Sequence, residues 1–120
     1  MTDLDALGPL GSLRADLERR FGRRQGFENI TMRLLAAFPL LRPEDRTVAI
    51  EEIRAWLRSE DTGDLYDGSA LVSLVPIPEL VDDLALTAER LSELSNPIYT
   101  ILAEEYERAV NKLRASDPDR

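Results

Sequence analysis

The sequence predicts an all-α protein, a compact helical bundle of four to six helices that ends in an antiparallel helical hairpin. Apolar residues recur three and four residues apart over most of the chain, which is the period of helices buried on one face. The single short apolar run with strand character has no second run to pair with. With 120 residues the chain is predicted to form one domain over residues 1–120.

The first helix is predicted to begin at Ser12, an N-cap residue type, and to end at Gly22. Residues 1–11 contain Gly8-Pro9 and Gly11, so we expect them to form a loose N-terminal arm. The apolar face of this helix consists of Leu13, Leu17 and Phe21.

The second helix is predicted from about Glu28 to Phe38, with Pro39 marking its end. Its apolar stripe is Ile30, Leu34 and Phe38, with Leu35 beside it. A third helix is expected to open at Pro43, with acidic residues in its first turn, and to close at 61–63. Its buried face is predicted to hold Ala49, Ile50, Ile53, Trp56 and Leu57.

The region after the third helix is predicted to be a polar turn over residues 64–68, followed by an apolar segment over 69–75. The segment is either extended or helical. We favour a short helix with Ser69 as its N-cap, ended by the prolines at 76 and 78.

The last two helices carry the strongest pattern in the chain. The first has a coiled-coil spacing of alternating four and three residues, and the second repeats it beyond Asn96-Pro97. This pattern predicts a helical hairpin broken at Asn96-Pro97, with residues 116–120 as a frayed tail. The positions of the two seams are Leu80, Leu84, Thr87, Leu91 and Leu94, then Tyr99, Leu102, Tyr106, Ala109 and Leu113, with Ile98 and Val110 alongside.

Composition excludes several classes of chemistry. The chain contains no histidine and no cysteine, so catalytic triads based on histidine, thiol nucleophiles, disulfides and zinc fingers are excluded. No apolar run is long enough to span a membrane, and the acidic N-terminus does not resemble a signal peptide. We therefore expect a cytoplasmic protein that is not an enzyme and needs no cofactor.

The net charge of −8 lies entirely in residues 61–120, because acidic and basic residues balance in residues 1–60. An acidic surface repels phosphate backbones and anionic lipid, and it favours a basic protein partner. The predicted partner is therefore another protein with a basic surface, and a homodimer through residues 78–115 is the further expectation. Membrane binding is not expected.

Two groups of residues are candidates for partner binding. The first is Tyr99 and Tyr106, seven residues apart on the last helix, with Glu104 and Glu107 beside them as an acidic rim. The second is the most apolar decapeptide, residues 71–80, with Leu71, Leu74 and Ile77. A structural role is the default interpretation of both apolar sets: residues 71–80 as a buried connecting segment, and the tyrosines as core residues with satisfied hydroxyls. The glutamates are as compatible with a role in solubility as with partner binding.

Two alternative functions follow from charged residues. A basic cluster of Arg14, Arg19, Arg20, Arg23 and Arg24 is compatible with a small nucleic-acid-associated subunit. The acidic pairs Glu79 and Asp82, and Glu104 and Glu107, have i, i+3 spacing and would suit a Mg²⁺-dependent hydrolase if they faced inward. The leading expectation remains a non-catalytic protein–protein interaction module, such as an accessory, regulatory or neutralising subunit.

Overall fold

Six α-helices make up most of the chain in a computed structural model that describes residues 8–115. Within this range the side chains of residues 21 and 23–29 are outside the description. No strand occurs among the described residues, so the all-α class is confirmed. The helices are α1 (Pro9–Phe21), α2 (Arg23–Ala37), α3 (Pro43–Arg58), α4 (Thr62–Leu74), α5 (Val81–Ser92) and α6 (Pro97–Ala115), with short 3₁₀ helices at Phe38–Leu40 and Pro78–Leu80.

The helices form two compact units, residues 1–53 and residues 54–120, and the boundary lies within α3. The expectation of a single domain stays a prediction. None of the helices in residues 8–115 has both the length and the apolar character that a bilayer span requires.

In the first unit α1 packs on α2, and Gly22 joins the two helices with φ at +73°. Only glycine adopts this backbone conformation without strain, so a tight junction fits this residue. The stripe predicted for α2 is buried as expected, and Arg46 lies 5.8 Å from the centre of the Phe38 ring. The described core residues of this unit are Leu10, Leu17, Ile30, Leu34, Phe38, Ala49, Ile50 and Ile53.

The beginning of α1 differs from the prediction. The helix starts at Pro9, not at Ser12, so residues 9–11 are helical and only residues 1–7 of the expected arm lie outside the described range. Gly8 is the N-cap and has no side chain to accept hydrogen bonds. The Glu52 carboxylate acts in place of a capping side chain. The amide of Leu10 donates to its Oε1 at 2.9 Å, and the amide of Gly11 donates to its Oε2 at 2.6 Å. A carboxylate from α3 therefore caps α1, 41 and 42 residues away in sequence.

In the second unit α6 packs against both α5 and α4. Contacts between α4 and α6 advance in the same direction along both helices, from Tyr106 on Leu65 to Lys112 on the Ser73 carbonyl. The two helices therefore run parallel. The buried apolar residues of this unit are Trp56, Leu57, Leu65, Leu71, Val72, Ile77, Leu80, Val81, Leu84, Leu91, Leu102, Ala103, Tyr106, Ala109, Val110 and Leu113.

The region predicted as a polar turn belongs to α4. Asp61, not Ser69, is the N-cap, and its carboxylate accepts from the amides of Gly63 at 2.7 Å and Asp64 at 3.1 Å. Asp67, Gly68 and Ser69 are buried inside this helix. The prediction of a turn over residues 64–68 is wrong, because these polar residue types, which are common in exposed turns, lie within a helix here.

Helices α5 and α6 lie on either side of residues 93–96, where the predicted break occurs, and they pack on each other. Their antiparallel course stays a prediction. The seam is buried at Leu80, Leu84, Thr87 and Leu91, but Leu94 is 43 % exposed. The seam thus ends one position earlier than the heptad pattern predicts.

The candidate interaction surface

Three large aliphatic side chains lie exposed at the start of α6 and in the turn before it. Leu94, Ile98 and Ile101 are 43, 52 and 61 % exposed, and they are spaced four and three residues apart. Ile98 and Ile101, three residues apart within α6, lie on one side of that helix, and Leu94 lies in the turn before it. We refer to these three residues as the apolar strip.

The register of α6 explains why the strip faces outward. The amide of Ile98 donates to Oδ1 of Asn96 at 2.9 Å, which caps the helix at the start predicted from Asn96-Pro97. Leu102 and Tyr106 are then buried. Ile101 points away from that buried face, and Ile98, four residues before Leu102, lies at its edge in the first turn of the helix and is 52 % exposed.

A cavity of about 270 Å³ lies beside the strip, and Leu94 belongs to both. Its wall includes the apolar side chains of Leu65, Leu91 and Tyr99. The cavity belongs to the second unit only, and its remaining lining residues are Ser59, Glu60 and Arg90. We call it the groove.

Hydrogen bonds from α5 and α6 fix the groove to the end of α3. Arg90 donates through Nη2 to the carbonyl of Leu57 at 2.7 Å and that of Ser59 at 3.3 Å, and through Nη1 to Arg58 at 3.1 Å. A guanidinium at the carboxyl end of a helix satisfies carbonyls that have no partner within the helix. The Tyr99 hydroxyl donates to the carbonyl of Glu60 at 3.2 Å. The groove is therefore preformed.

Exposed carboxylates surround the strip and the groove in sequence and on the surface. Glu60 lines the groove, Glu93 directly precedes Leu94, and Glu104 follows Ile101 by three residues; all three are exposed. The nearest exposed cation on α6 is Arg108, which pairs with Glu105 at 2.6 Å. The rim of the surface is thus predominantly negative.

Of the residues predicted to bind a partner through the last helix, Tyr106 is in the wrong place for an anchor. It is fully buried, and its hydroxyl donates to the carbonyl of Leu65. Burial raises the pKa of Tyr106 far above its ordinary value; the Asp67 carboxylate adds to the rise, and the guanidinium of Arg90 opposes it. Tyr99, Glu104 and Glu107 do reach the surface, fully or in part.

The other predicted group, residues 71–80, also contains both buried and exposed residues. Leu71 and Ile77 are completely buried, whereas Leu74 is 69 % exposed. Leu74 lines a separate cavity of about 250 Å³ together with Val72, Pro76 and Leu113. It is not among the residues that line the groove.

The arginine cluster spans α1 and the start of α2, and its members on α1 pair with acidic neighbours. Asp16 pairs with Arg19 and Arg20, each at 3.1 Å, and Arg14 lies 3.9 Å from Glu18. Arg19 and Arg20 are exposed, while Arg14 is half-buried. The side chains of Arg23 and Arg24 are outside the described residues.

The four carboxylates of the alternative metal site are not brought together. Glu79, Asp82, Glu104 and Glu107 are all exposed. Across the described residues, no three acidic side chains are grouped closely enough to hold a metal ion. The i, i+3 spacing that suggested the site instead places these carboxylates on solvated faces.

The apolar strip itself was not predicted. The pattern assigned Leu94 to the buried seam and set Ile98 beside it, and Ile101 received no role. The signal was present, since Ile98 and Ile101 are three residues apart and neither lies on the Tyr99–Leu102–Tyr106 seam. The chain matches no protein-family model, no curated protein and no solved structure.

Proposed function

We propose that this chain is a non-catalytic protein–protein interaction module that binds a partner protein, in the cytoplasm, through the apolar strip and the groove. The observation that carries the proposal is the exposure of Leu94, Ile98 and Ile101, each at least 43 % exposed and close together in sequence, with Leu94 on the wall of a preformed cavity. Single exposed apolar side chains are ordinary, but a group of them beside a cavity is typical of interaction sites.

The cost of leaving the strip in water supports the proposal. Burying one large aliphatic side chain contributes about 1.5–3 kcal/mol, and each strip residue is already partly buried. A partner that covers all three therefore gains several kilocalories per mole from this contact alone. An apolar centre surrounded by a polar rim is the usual arrangement in protein interfaces.

The surrounding charge supports a basic partner. Glu60, Glu93 and Glu104 are exposed near the strip, and residues 61–120 carry the whole net charge of the chain. Complementary charge at the rim accelerates association and selects partners. Nucleic acid is disfavoured at this surface for the same reason, because its phosphates carry the same sign of charge as the rim.

Site-specific photo-crosslinking in the native cell tests the proposal. A photoreactive amino acid at position 101 should yield a discrete protein adduct, and Ile98→Asp in the same chain should abolish it. Leu86 provides the matched control, since it is also a large apolar residue of the second unit and is 67 % exposed. Equal labelling from positions 86 and 101, or an adduct that nuclease removes, would contradict the proposal.

A further inference from the structure

We infer that the partner's contact element is a basic amphipathic helix, which lays its apolar face on the strip and inserts one anchor side chain into the groove. This inference rests on the proposed function and specifies the partner's chemistry.

The geometry of the surface fits a helix. Ile98 and Ile101, three residues apart on α6, belong to a ridge of the kind that packs into the groove between side chains of another helix, and Leu94 extends the apolar surface into the adjoining turn. Strand addition, the other common mode of peptide docking, requires a sheet edge, and residues 8–115 contain no strand. The exposed surface that remains is a helix face beside a cavity, which is the arrangement used by helix-in-groove complexes.

The size of the groove fits an anchor side chain. Its volume of about 270 Å³ is below the range of roughly 300–1,000 Å³ that is usual for small-molecule sites. Leu65, Leu91 and Leu94 offer apolar contacts on its wall. Arg90 keeps its positive charge beside the groove while its guanidinium donates to three backbone carbonyls. The anchor that enters the groove is therefore apolar, and the partner's basic residues belong at the rim.

The charges select a basic helix over the other possible occupants. An acidic or phosphorylated segment would meet Glu60, Glu93 and Glu104 with like charge. A second copy of this chain, docked strip to strip, would bring two negative rims together. A helix with lysine or arginine flanking its apolar stripe places opposite charge against each rim carboxylate.

Synthetic peptides test the inference on the full-length chain. The first peptide is a helix of about 18 residues, long enough to be partly formed in water, with leucine at i, i+3, i+4 and i+7 and lysine at the flanking positions. A second keeps the leucines and replaces lysine by glutamate, and a third permutes the first so that no apolar face forms. Methyl NMR shifts of the chain locate binding, and fluorescence anisotropy of the labelled peptides measures affinity.

The lysine peptide should bind with shifts concentrated at Leu94, Ile98 and Ile101, and at least about tenfold more tightly than either other peptide. Ile101→Asp should weaken it at least about tenfold, while Leu86→Asp should leave it unchanged. Glu93→Lys with Glu104→Lys should weaken it severalfold at low salt, with a smaller effect near 1 M salt, where the Debye length falls to about 3 Å. The lysine peptide should also compete with the partner protein and reduce the yield of the crosslink from position 101.

Several results would overturn the inference. Equal binding of the lysine and glutamate peptides would refute a basic contact element. Binding of the permuted peptide would refute a helical one. Shifts confined to other residues would place the site elsewhere, and concentration-dependent dimerisation that Ile101→Asp abolishes would identify a second copy as the occupant. If peptide binding fails while the crosslink at position 101 persists, only the inference is lost. Loss of both results would refute the proposed function as well.

Discussion

Gly68 and Tyr106 form a close contact in the second unit whose energetics can be worked out from the structure. Gly68 lies inside α4, where glycine costs about 1 kcal/mol relative to alanine. A Cβ atom at this position would lie 3.0 Å from the Tyr106 hydroxyl and 3.4 Å from Cδ2 of Leu57. Propensity and packing therefore oppose each other when Gly68 is replaced by alanine.

We expect packing to prevail, so that Gly68→Ala lowers the free energy of unfolding by about 1 kcal/mol. Overpacking of a filled core costs about 1–3 kcal/mol, against the gain of about 1 kcal/mol in helix propensity. Tyr106 cannot move aside cheaply, because it is fully buried and its hydroxyl is held by the carbonyl of Leu65.

Removal of the hydroxyl should reverse the sign. Tyr106→Phe alone should cost about 1–2 kcal/mol through the lost hydrogen bond. In the Tyr106→Phe background, Gly68→Ala should be neutral or stabilising by up to about 1 kcal/mol. The double-mutant cycle should therefore give a coupling energy of about 1–2 kcal/mol.

Urea denaturation followed by the fluorescence of Trp56 measures all four chains, because Trp56 is the only tryptophan and is buried in the second unit. The reasoning is refuted if Gly68→Ala has the same effect with and without the Tyr106 hydroxyl. It is also refuted if Gly68→Ala stabilises the otherwise unchanged chain by the full propensity difference.

The remaining predictions concern capping and ionisation. Glu52→Ala should lower the free energy of unfolding by about 1–2 kcal/mol in thermal melts, because α1 loses its cap, while the exposed control Glu104→Ala should change it by less than about 0.5 kcal/mol. Arg90→Met should cost about 2 kcal/mol by chemical denaturation, since three carbonyls lose their charged donor, whereas the exposed control Arg114→Met should be near neutral. The raised pKa of Tyr106 predicts that stability is retained below about pH 10 and falls above it by up to 1.4 kcal/mol per pH unit, because the unfolded chain then binds fewer protons than the folded chain. Tyr106→Phe should flatten this alkaline decline in pH-dependent denaturation curves, and an equally steep decline in that variant would assign it to other groups.

The periodic apolar stripes made the helices and most of the core predictable. Ile30 and Leu34 in α2, and Ile53 and Leu57 in α3, are buried as their spacing indicates. The helix starts were less predictable. The start of α1 depends on Glu52, which is distant in sequence, and no local pattern reports a cap supplied by another helix.

The buried polar residues of α4 explain the second error. Asp67 and Ser69 are the residue types of turns and caps, yet both are buried in the helix. This part of α4 packs on α6: Gly68, between them, lets the Tyr106 hydroxyl approach closely, and the hydroxyl donates to the carbonyl of Leu65. Tertiary packing thus overrides local preference at the position where the sequence was hardest to read.

The candidate surface could be predicted only in part from the sequence, because the packing of the helices determines which apolar side chains are exposed. Tyr99 and Tyr106 looked equivalent in sequence, being seven residues apart. In the structure Tyr106 is a core residue, whereas Tyr99 lines the groove. The pattern identified most of the packing face correctly, but it placed Leu94 in the buried seam, and Leu94 is exposed together with Ile98 and Ile101.

The polar contacts of the second unit and its apolar strip have complementary roles. Arg90 and Tyr99 hold the end of α3 against α5 and α6 through backbone carbonyls, so the groove is formed before any partner arrives. A preformed site avoids the conformational entropy that ordering a flexible loop would cost on binding. Ile98 and Ile101 of the strip contribute little to this packing, because more than half of each side chain is exposed. Evidence for binding must therefore come from substitutions in the strip, because changes at Arg90 or Tyr106 would alter folding and binding together.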